Sequence, residues 1–398
     1  MSLKRGVITE RTSSSARPIP VTSTLPLAFV FTSNVQSGLY CFDSPEDALE
    51  YFKDSHTDGN LLKYLEMGVD KFNLIVPTII SIANEVVEEE GVKTADEATA
   101  ETKSNIINAT NILKSSTTST NLADEKGSMI GYKADIVGVA DYASNDLDIA
   151  QALVSTTEFM KGRTFIDLDA STNGDAITQR NEFGSDRVTL IKTPLGSWNT
   201  NTNQTEWYDS GIIACFLRAK VDGQSKTGYA KSISNRELPF SSVKSPSEFI
   251  AGAQDETDPL TENQIMSFIS YSGLRTWEYS TCSADAIWQD ARRVRIFDLA
   301  ADAVLKGIFY AIDKDMKELG SAKKSLRSFM NGLVGDEVML GFDVMLDEKR
   351  TTPARITAGQ FYFIIDAQEM PSPKLICVTF NRVDRYAPLV YKMLEEAA

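Results

Sequence analysis

Chemistry that needs an imidazole has one place to start in this sequence. His56 is the single histidine among 398 residues, in the polar run Asp54-Ser55-His56-Thr57-Asp58-Gly59-Asn60. A Ser-His-Asp or Cys-His nucleophile would have to run through it. A polar loop between two short helices is, however, the setting of an ordinary solvated histidine. One histidine also excludes HExxH and multi-histidine metal clusters. The cysteines Cys41, Cys215, Cys282 and Cys377 are scattered, without a CxxC pair, and read as reduced core thiols. No GxxxxGK[ST] phosphate loop occurs, and no GxGxxG opens a helix after a strand. The remaining candidates are acids. Asp167 and Asp169 lie at the end of the apolar run Thr164–Leu168, where α/β sheets often bind ligands. With Asp135 or Asp141 they could hold Mg²⁺. Short acids also terminate strands and cap the next helix, and that is the reading adopted. The expectation is no catalytic, cofactor-binding or metal-binding residue.

Charge and aromatic clusters carry less chemistry still. Glu85, Glu88, Glu89 and Glu90 form an acidic run that reads as a solvated helix end. Arg292, Arg293 and Arg295 make the only dense cationic spot. Their carboxylate partners lie either on another molecule or within the subunit; the sequence leaves both open. Trp277 and Trp288, near Arg275, would suit base stacking, but core packing is commoner. A formal charge of −15 repels phosphate and anionic lipid, so no nucleic acid is expected as a partner. No run approaches the ~18 apolar residues of a membrane span, and no membrane insertion is expected. The amino terminus lacks the apolar core of a signal peptide. The expected setting is a cytoplasm, or release from one by lysis. Apolar content of 42% and charged content of 24% are those of a globular protein with a sizeable core. Its length argues for more than one domain.

The elements that must position these residues follow from periodicity. Residues 1–24 are polar and Ser-rich, with Pro18 and Pro20, and read as an extended arm with a short strand at Gly6–Arg11. Apolar strands are expected at Leu27–Thr32, Phe72–Val76, Ala134–Val139, Thr164–Leu168 and Arg187–Ile191. Helices are expected after the Ser44-Pro45 cap, at Ile106–Lys114, Asp146–Lys161 and Asp175–Phe183, and over residues 209–219. Buried strands alternating with helices imply a mainly parallel α/β sheet. Residues 196–207 read as a polar surface loop, and residues 222–260 as a long connection. Beyond it, a helix capped by Thr261 is expected to run to about Ser270, and Arg293–Ile312 is an amphipathic helix with Phe297, Ala301, Val304, Leu305, Ile308 and Ile312 on its core face. Ala322–Leu333 is a second, burying Leu326, Phe329, Met330 and Leu333. Strands are predicted at Val338–Leu346, Gly359–Asp366 and Leu375–Phe380. Leu389–Leu394 fits either a strand or a short helix. Termini with strand potential and no core of their own seek a partner edge.

One stretch carries a family resemblance. Gly273-Leu274-Arg275-Thr276-Trp277, then Ser280-Thr281-Cys282-Ser283, Trp288, Arg292-Arg293-Val294 and a long helix resemble contractile tail sheath proteins of tailed phages and phage-tail-like particles. Collinear segments agree: Gly6-Val7, Ala16-Arg17-Pro18-Ile19, Ala28-Phe29-Val30, Ala134-Asp135-Ile136-Val137, Thr164-Phe165-Ile166-Asp167, Tyr229 and Ser234-Asn235-Arg236-Glu237. Glu278-Tyr279-Ser280 stands where that family often has Gly-x-Arg, and residues 84–127 match nothing in it.

The resemblance implies a multidomain α/β protein. An arm of residues 1–24 joins an inner sheath domain of residues 246–380, an outer α/β domain with a mainly parallel sheet spans 25–245, and a C-terminal arm spans 381–398. It implies a structural subunit, not an enzyme and without cofactor. Such a subunit polymerises as stacked hexameric rings around a tail tube and contracts without nucleotide hydrolysis to drive the tube through a host envelope. The partners implied are further copies of the chain, the tail tube protein, and baseplate and tail terminator proteins. The place implied is the virion, after assembly in the host cytoplasm. The inter-subunit arm strands would include Val7, Ile8, Thr9, Leu389, Val390, Tyr391 and Met393. A tube contact would fall on Lys323, Lys324 and Arg327. The alternatives are the sheath of a phage-derived bacteriocin or secretion system, and a Mg²⁺-dependent α/β enzyme built on Asp135, Asp167 and Asp169.

Overall fold

The computed structural model describes residues 19, 25–34, 37–54, 58–89, 93–117, 133–200 and 202–396. His56 and the arm positions Val7, Ile8 and Thr9 lie outside them.

An eight-stranded sheet organises the first part of the chain, with its strands in the order β11-β10-β6-β5-β4-β1-β3-β2. They are β1 (Leu27–Ser33), β2 (Gly38–Phe42), β3 (Thr78–Asn84), β4 (Ile136–Val139), β5 (Arg163–Asp167), β6 (Val188–Ile191), β10 (Ile265–Ser270) and β11 (Leu274–Trp277). The six inner strands run parallel, and β2 and β11 close the edges antiparallel. A mainly parallel sheet is thus borne out. Its helices lie on both faces, so each strand is buried twice and reads as continuous apolar sequence. On β1, Leu27, Phe29 and Phe31 join one core with helices α1 (Pro45–Phe52), α2 (Leu61–Asp70) and α6 (Ser210–Gly223). Ala28 and Val30 join the opposite core with α3 (Ala95–Ile112), α4 (Leu147–Met160) and α5 (Asn173–Arg180). Period-two alternation sends neighbours to opposite faces.

Caps set the helix starts. Ser44 accepts from the Asp47 N–H at 3.1 Å with Pro45 in the first turn, as expected. Thr94 with Glu97 and Thr172 with Asp175 form reciprocal capping boxes.

Several sequence expectations in this part fail, among them the acidic run, whose residues 85–89 belong to no helix. Residues 72–76 are not a strand: Phe72 and Leu74 pack into the core from an irregular segment, and the strand is Thr78–Asn84, beyond Pro77. Ser81 disguised it, yet its buried hydroxyl is satisfied by the Ala109 carbonyl at 2.9 Å. Residues 196–207 are not a loop but the hairpin of β7 (Leu195–Asn199) and β8 (Gln204–Tyr208), extended by β9 (Ser242–Val243). Its polar composition hid the alternation that puts Trp198 and Trp207 on one face. The helix expected from Thr261 to about Ser270 is likewise corrected: the short helix α7 (Asp258–Glu262) covers only its start, Ile265–Ser270 is the buried strand β10, and β10 and β11 return to the large sheet. That sheet therefore takes strands from both sides of the boundary expected at residues 245 and 246.

The second body is built from α8 (Ala291–Ile308), α9 (Met316–Gly335), β12 (Met339–Leu346), the short α10 (Pro353–Thr357) and β13 (Phe363–Glu369). Leu299, Ala303, Leu326, Phe329, Met330 and Val344 form its core, which Ile19 and Leu25 also enter. The face predicted for α9 is buried as expected. The face predicted for α8 is borne out only in part: Phe297, Val304 and Ile308 pack against this core, whereas Ala301, Leu305 and Ile312 are exposed. The buried stripe is Arg292, Arg295, Ile296, Leu299 and Ala303, which carries two arginines and so escapes a search for apolar periodicity.

Beyond Met370 the chain makes no sheet. Residues 371–383 form no regular element and, Ser372 apart, are exposed, so Leu375–Phe380 is not a strand of the body. Leu389–Glu396 is an exposed helix, α11, which corrects the strand reading in favour of its helical alternative. Apolar residues at i, i+1, i+4 and i+5 gather on one side of a helix, whereas a strand would divide them between faces. No described helix is long and apolar enough to cross a membrane.

Candidate assembly surface and its anchoring

The signature around Gly273 is architectural. Gly273, at φ +106°, and Ser272, at φ +51°, turn β10 into β11. A residue with a Cβ strains at the glycine. Arg275 reaches back to the Tyr271 carbonyl at 2.9 Å and across to the Asn235 carbonyl at 3.3 Å. The connector Ser234–Glu237 lies along β11: Asn235 N–H donates to the Thr276 carbonyl at 2.7 Å, and Leu238 N–H to the Leu274 carbonyl at 2.9 Å. Trp277 meets Phe249 edge-on at 5.1 Å, and Trp288 meets Phe297 edge-on at 5.7 Å. Both tryptophans thus serve packing. Glu278 sits at φ +73°, a left-handed position that suits glycine.

The arginine cluster is intramolecular, which resolves the choice the sequence left open. Arg295, fully buried, pairs with Asp135 and Asp222, each at 2.5 Å. Arg218 also holds Asp222, at 2.7 Å, and Asp298 draws in Arg187 at 2.8 Å. Burial alone would lower the Arg295 pKa, but the Asp135 and Asp222 carboxylates outweigh it and raise it. Asp135 comes from the start of β4, Asp222 and Arg218 from α6, and Arg295 and Asp298 from α8. The network therefore locks the second body onto the amino-terminal end of the parallel sheet.

Arg292 and Arg293 do a different job. Arg292 donates to the Met370 carbonyl, and Arg293 Nε donates to Glu369 Oε1 at 2.6 Å. Lys374 reaches Glu278 at 3.3 Å. The Met370 N–H itself donates to the Val338 carbonyl at 2.9 Å. These bonds fasten the chain at the point where it leaves the body.

Past that root the surface is apolar and open. Leu375, Ile376, Val378 and Phe380 are each at least 70% exposed. Soluble chains seldom leave so continuous an apolar run uncovered. The β12–β13 ladder is a sheet of only two strands, and among the described residues neither outer edge is paired. An isolated two-stranded sheet is marginal and its edges accept further strands. On α9, Lys324 and Arg327 are exposed and Lys323 is half-buried, opposite the core face.

Asp135 stands apart from the other acids weighed for Mg²⁺. Asp135 lies at the amino end of β4, occupied by Arg295, whereas Asp167 ends β5 at the opposite side of the sheet. Among the described residues no group of three or more His, Cys, Asp or Glu side chains is placed to hold a metal. Asp167 accepts the Ser210 N–H at 2.9 Å and the Asp169 N–H at 2.8 Å. Asp169 pairs with Lys244 at 2.7 Å. Asp209 caps α6, accepts the Asp141 N–H at 2.9 Å, and its own N–H donates to the Tyr64 hydroxyl at 2.8 Å. Tyr64 donates in turn to Asp141. Burial pushes the Asp167 carboxyl up to about 7 despite its two N–H donors. Burial, then the charges of Asp167 and Asp141, raise Asp209 well above the usual carboxylate range. Asp167 thus ends β5 and accepts at the first residue of α6, whereas the next helix, α5, is capped by Thr172 and by neither Asp167 nor Asp169. The aspartate network around α6 was invisible beforehand, because its members are distant in sequence.

A doubly wound sheet joined to a helical body with an open hairpin defines a recognisable class. The chain has the fold of contractile sheath subunits. It aligns over 96% of its length with the anti-feeding prophage helical sheath in its contracted state, at TM-score 0.65 and 14% identity, covering 100% of that chain. The sheath of an extracellular contractile injection system, also contracted, aligns over 97% at TM-score 0.65 and 13% identity, covering 99% of that chain. The sheath tail protein of Desulfitobacterium hafniense aligns over 92% at TM-score 0.55 and 7% identity, covering all of it. No protein-family model matches. Curated relatives carry the same name. A putative prophage major tail sheath protein of Pseudomonas aeruginosa is 28% identical over 229 residues, 56% of this chain and 58% of that protein. The tail sheath protein of Escherichia phage P2 is 26% identical over 271 residues, 65% of this chain and 66% of that one. The matches thus span about three-fifths of these relatives. The chain is therefore a relative of contractile tail sheath proteins, as the motifs around Gly273 implied.

Proposed function

We propose that this chain is the structural subunit of a contractile tail sheath and no enzyme. It polymerises as stacked hexameric rings around a tail tube and contracts without nucleotide hydrolysis, driving the tube through a host envelope. The observation that carries this reading is the exposed segment Leu375–Phe380 in a chain whose β12–β13 hairpin has open edges. A β-rich run without a partner and an edge without a neighbour in one chain are complementary halves of strand donation between copies. Because donor and acceptor lie on different surfaces, the contact is heterologous and does not close on itself, the geometry of filaments. The donated C-terminal strand is thus Leu375–Phe380, with α11 following it. Val7–Thr9 supply the matching strand at the other end.

The anchored root explains how such a mesh bears load. Arg292 and Arg293 hold Met370 and Glu369, so a pull on the arm is delivered to α8 and, through Arg295, to the large sheet. Rings can then swing on the arms while each body stays rigid. The second body, with Lys323, Lys324 and Arg327, faces the tube as the inner domain, and the large sheet carries the outer one. Exposed charge pairs contribute only about 0–1 kcal/mol each, yet many copies acting together hold the extended state. Baseplate and terminator proteins bind the two ends, and assembly occurs in the host cytoplasm. The sheath of a phage-derived bacteriocin or secretion system would use the same surfaces, and the prophage and injection-system likenesses keep that reading alongside. Electron microscopy of the purified chain tests the proposal: helical tubes support it, whereas compact particles at every concentration and salt overturn it.

A further inference from the structure

Helix α8 grips the root of the C-terminal arm at its start, where Arg292 and Arg293 hold Met370 and Glu369. Its far end carries a glycine, Gly307. Glycine inside a helix is destabilising relative to alanine, because it gives up more backbone freedom and packs nothing. Here the missing side chain makes room for another residue. A Cβ at Gly307 would stand 2.5 Å from Ile19 Cγ1, 2.7 Å from its Cγ2 and 2.9 Å from its Cδ1. Carbon atoms do not pack that closely. Ile19 is 8% exposed and shares a core with Ile296, Leu299 and Ala303 of the same helix. Gly307 is thus a notch in α8, and Ile19 fills it.

We propose that this notch seats the N-terminal arm and stays filled during assembly, so that α8 carries one arm at each end. The proposal rests on the sheath reading, in which Val7–Thr9 is a donated strand. Seating decides how far that strand reaches. From Ile19, Thr9 lies within about 33 Å at ~3.3 Å per residue. With Ile19 released, the next described residue of that core along the chain is Leu25, and the reach grows to about 53 Å. A shorter tether confines the strand to a smaller volume and raises its effective concentration at a neighbour's edge. Arg292 and Gly307 stand about 22 Å apart along α8, at ~1.5 Å per residue. The spacing of the two arm roots is then set by a helix. Arg295, between them, ties that helix to Asp135 and Asp222. A turning body would therefore carry both attachment points as one rigid unit.

A disulfide across the notch tests this. The Gly307 contact puts the two Cβ atoms about 3–4 Å apart, a separation that a disulfide spans. In a Cys377→Ser background, which removes the exposed native thiol, the chain carries Ile19→Cys and Gly307→Cys. On oxidation the unassembled chain should form the bond within itself. The bonded chain should then build tubes at or below the wild-type threshold concentration. Gly307→Leu, which fills the notch, should raise that threshold about threefold or more. In an Ile19→Ala background the same change should add little, because the side chain it displaces is already gone.

A cysteine pair that does not oxidise overturns the proposal, since Ile19 then lies elsewhere in solution. So does a bonded chain that makes tubes only after reduction, because the arm must then leave the notch to assemble. A threshold unmoved by Gly307→Leu, or raised equally in both backgrounds, overturns it too. Each of these results leaves the sheath reading standing, whereas a wild-type chain that never forms tubes sinks both.

Discussion

The large sheet and the C-terminal segment treat unsatisfied groups in opposite ways. The sheet body buries three polar side chains with partners: Asp222 between two arginines, Asp167 under two N–H donors, Ser81 against a helix carbonyl. After Met370, apolar side chains are exposed and backbone edges unpaired. The contrast assigns rigidity to one region and adhesion to the other. In the proposed sheath, a subunit that rotates as a solid while tied to its neighbours would need that division, and Arg292 and Arg293 sit at the seam.

Truncation after Met370 should separate the two regions most sharply. It removes no buried side chain, so circular dichroism and the unfolding midpoint should match the full chain, whereas tubes should vanish altogether. A truncated chain that unfolds earlier would show that the tail belongs to the body. Asp222→Ala should do the reverse. It leaves Arg218 and Arg295 buried without their shared carboxylate, at a cost of about 3–5 kcal/mol, read from urea unfolding. A loss below about 1 kcal/mol would mean that water reaches this network and that it is no lock.

The aspartates at α6 make the body's stability depend on pH. Asp167 has a folded pKa near 7, above the unfolded value of about 3.9. Its neutral form is favoured on folding, so this contribution is fully present below about pH 4 and is lost as pH rises through 7. From pH 5 to pH 8 the free energy of unfolding should fall, by on the order of a few kcal/mol. Asp167→Asn should flatten that slope. A mutant with the wild-type slope would transfer the effect to Asp209, whose pKa is raised by burial and by Asp167 and Asp141. Smallest of all is the α9 face. Lys323→Glu with Lys324→Glu should leave stability within about 0.5 kcal/mol and weaken only assembly on tubes at low salt, where screening is least. Unchanged co-assembly with tube would remove α9 from the tube-facing side.

Much of the sheet body was legible because its strands are short, apolar and separated by capped helices. Leu27–Thr32 and Thr164–Leu168 fall within a residue of β1 and β5. Misreadings came where polar residues are buried or apolar ones exposed. Ser81 hid β3, Arg292 and Arg295 hid the core face of α8, and the apolar run at Leu375–Phe380 passed for a body strand. In the first two cases a contact distant in sequence outweighed local pattern, and in the third the run is exposed and belongs to no sheet.

By itself the amino-acid order determined the parallel α/β sheet, the caps, the motif run from Gly273 to Arg293 and the lack of any histidine-based metal motif. These depend on near neighbours: on period, on capping chemistry, on residue type. Tertiary structure alone decided which carboxylates meet Arg295, that Arg292 and Arg293 grip the root of the arm, and that the chain beyond Met370 has no place on its own body. Partners of a buried charge lie dozens of residues away, so desolvation and pairing are settled only when the chain has folded. Whether an apolar strand is core or adhesive depends on whether a sheet edge of its own chain lies beside it, and that is a property of three-dimensional arrangement.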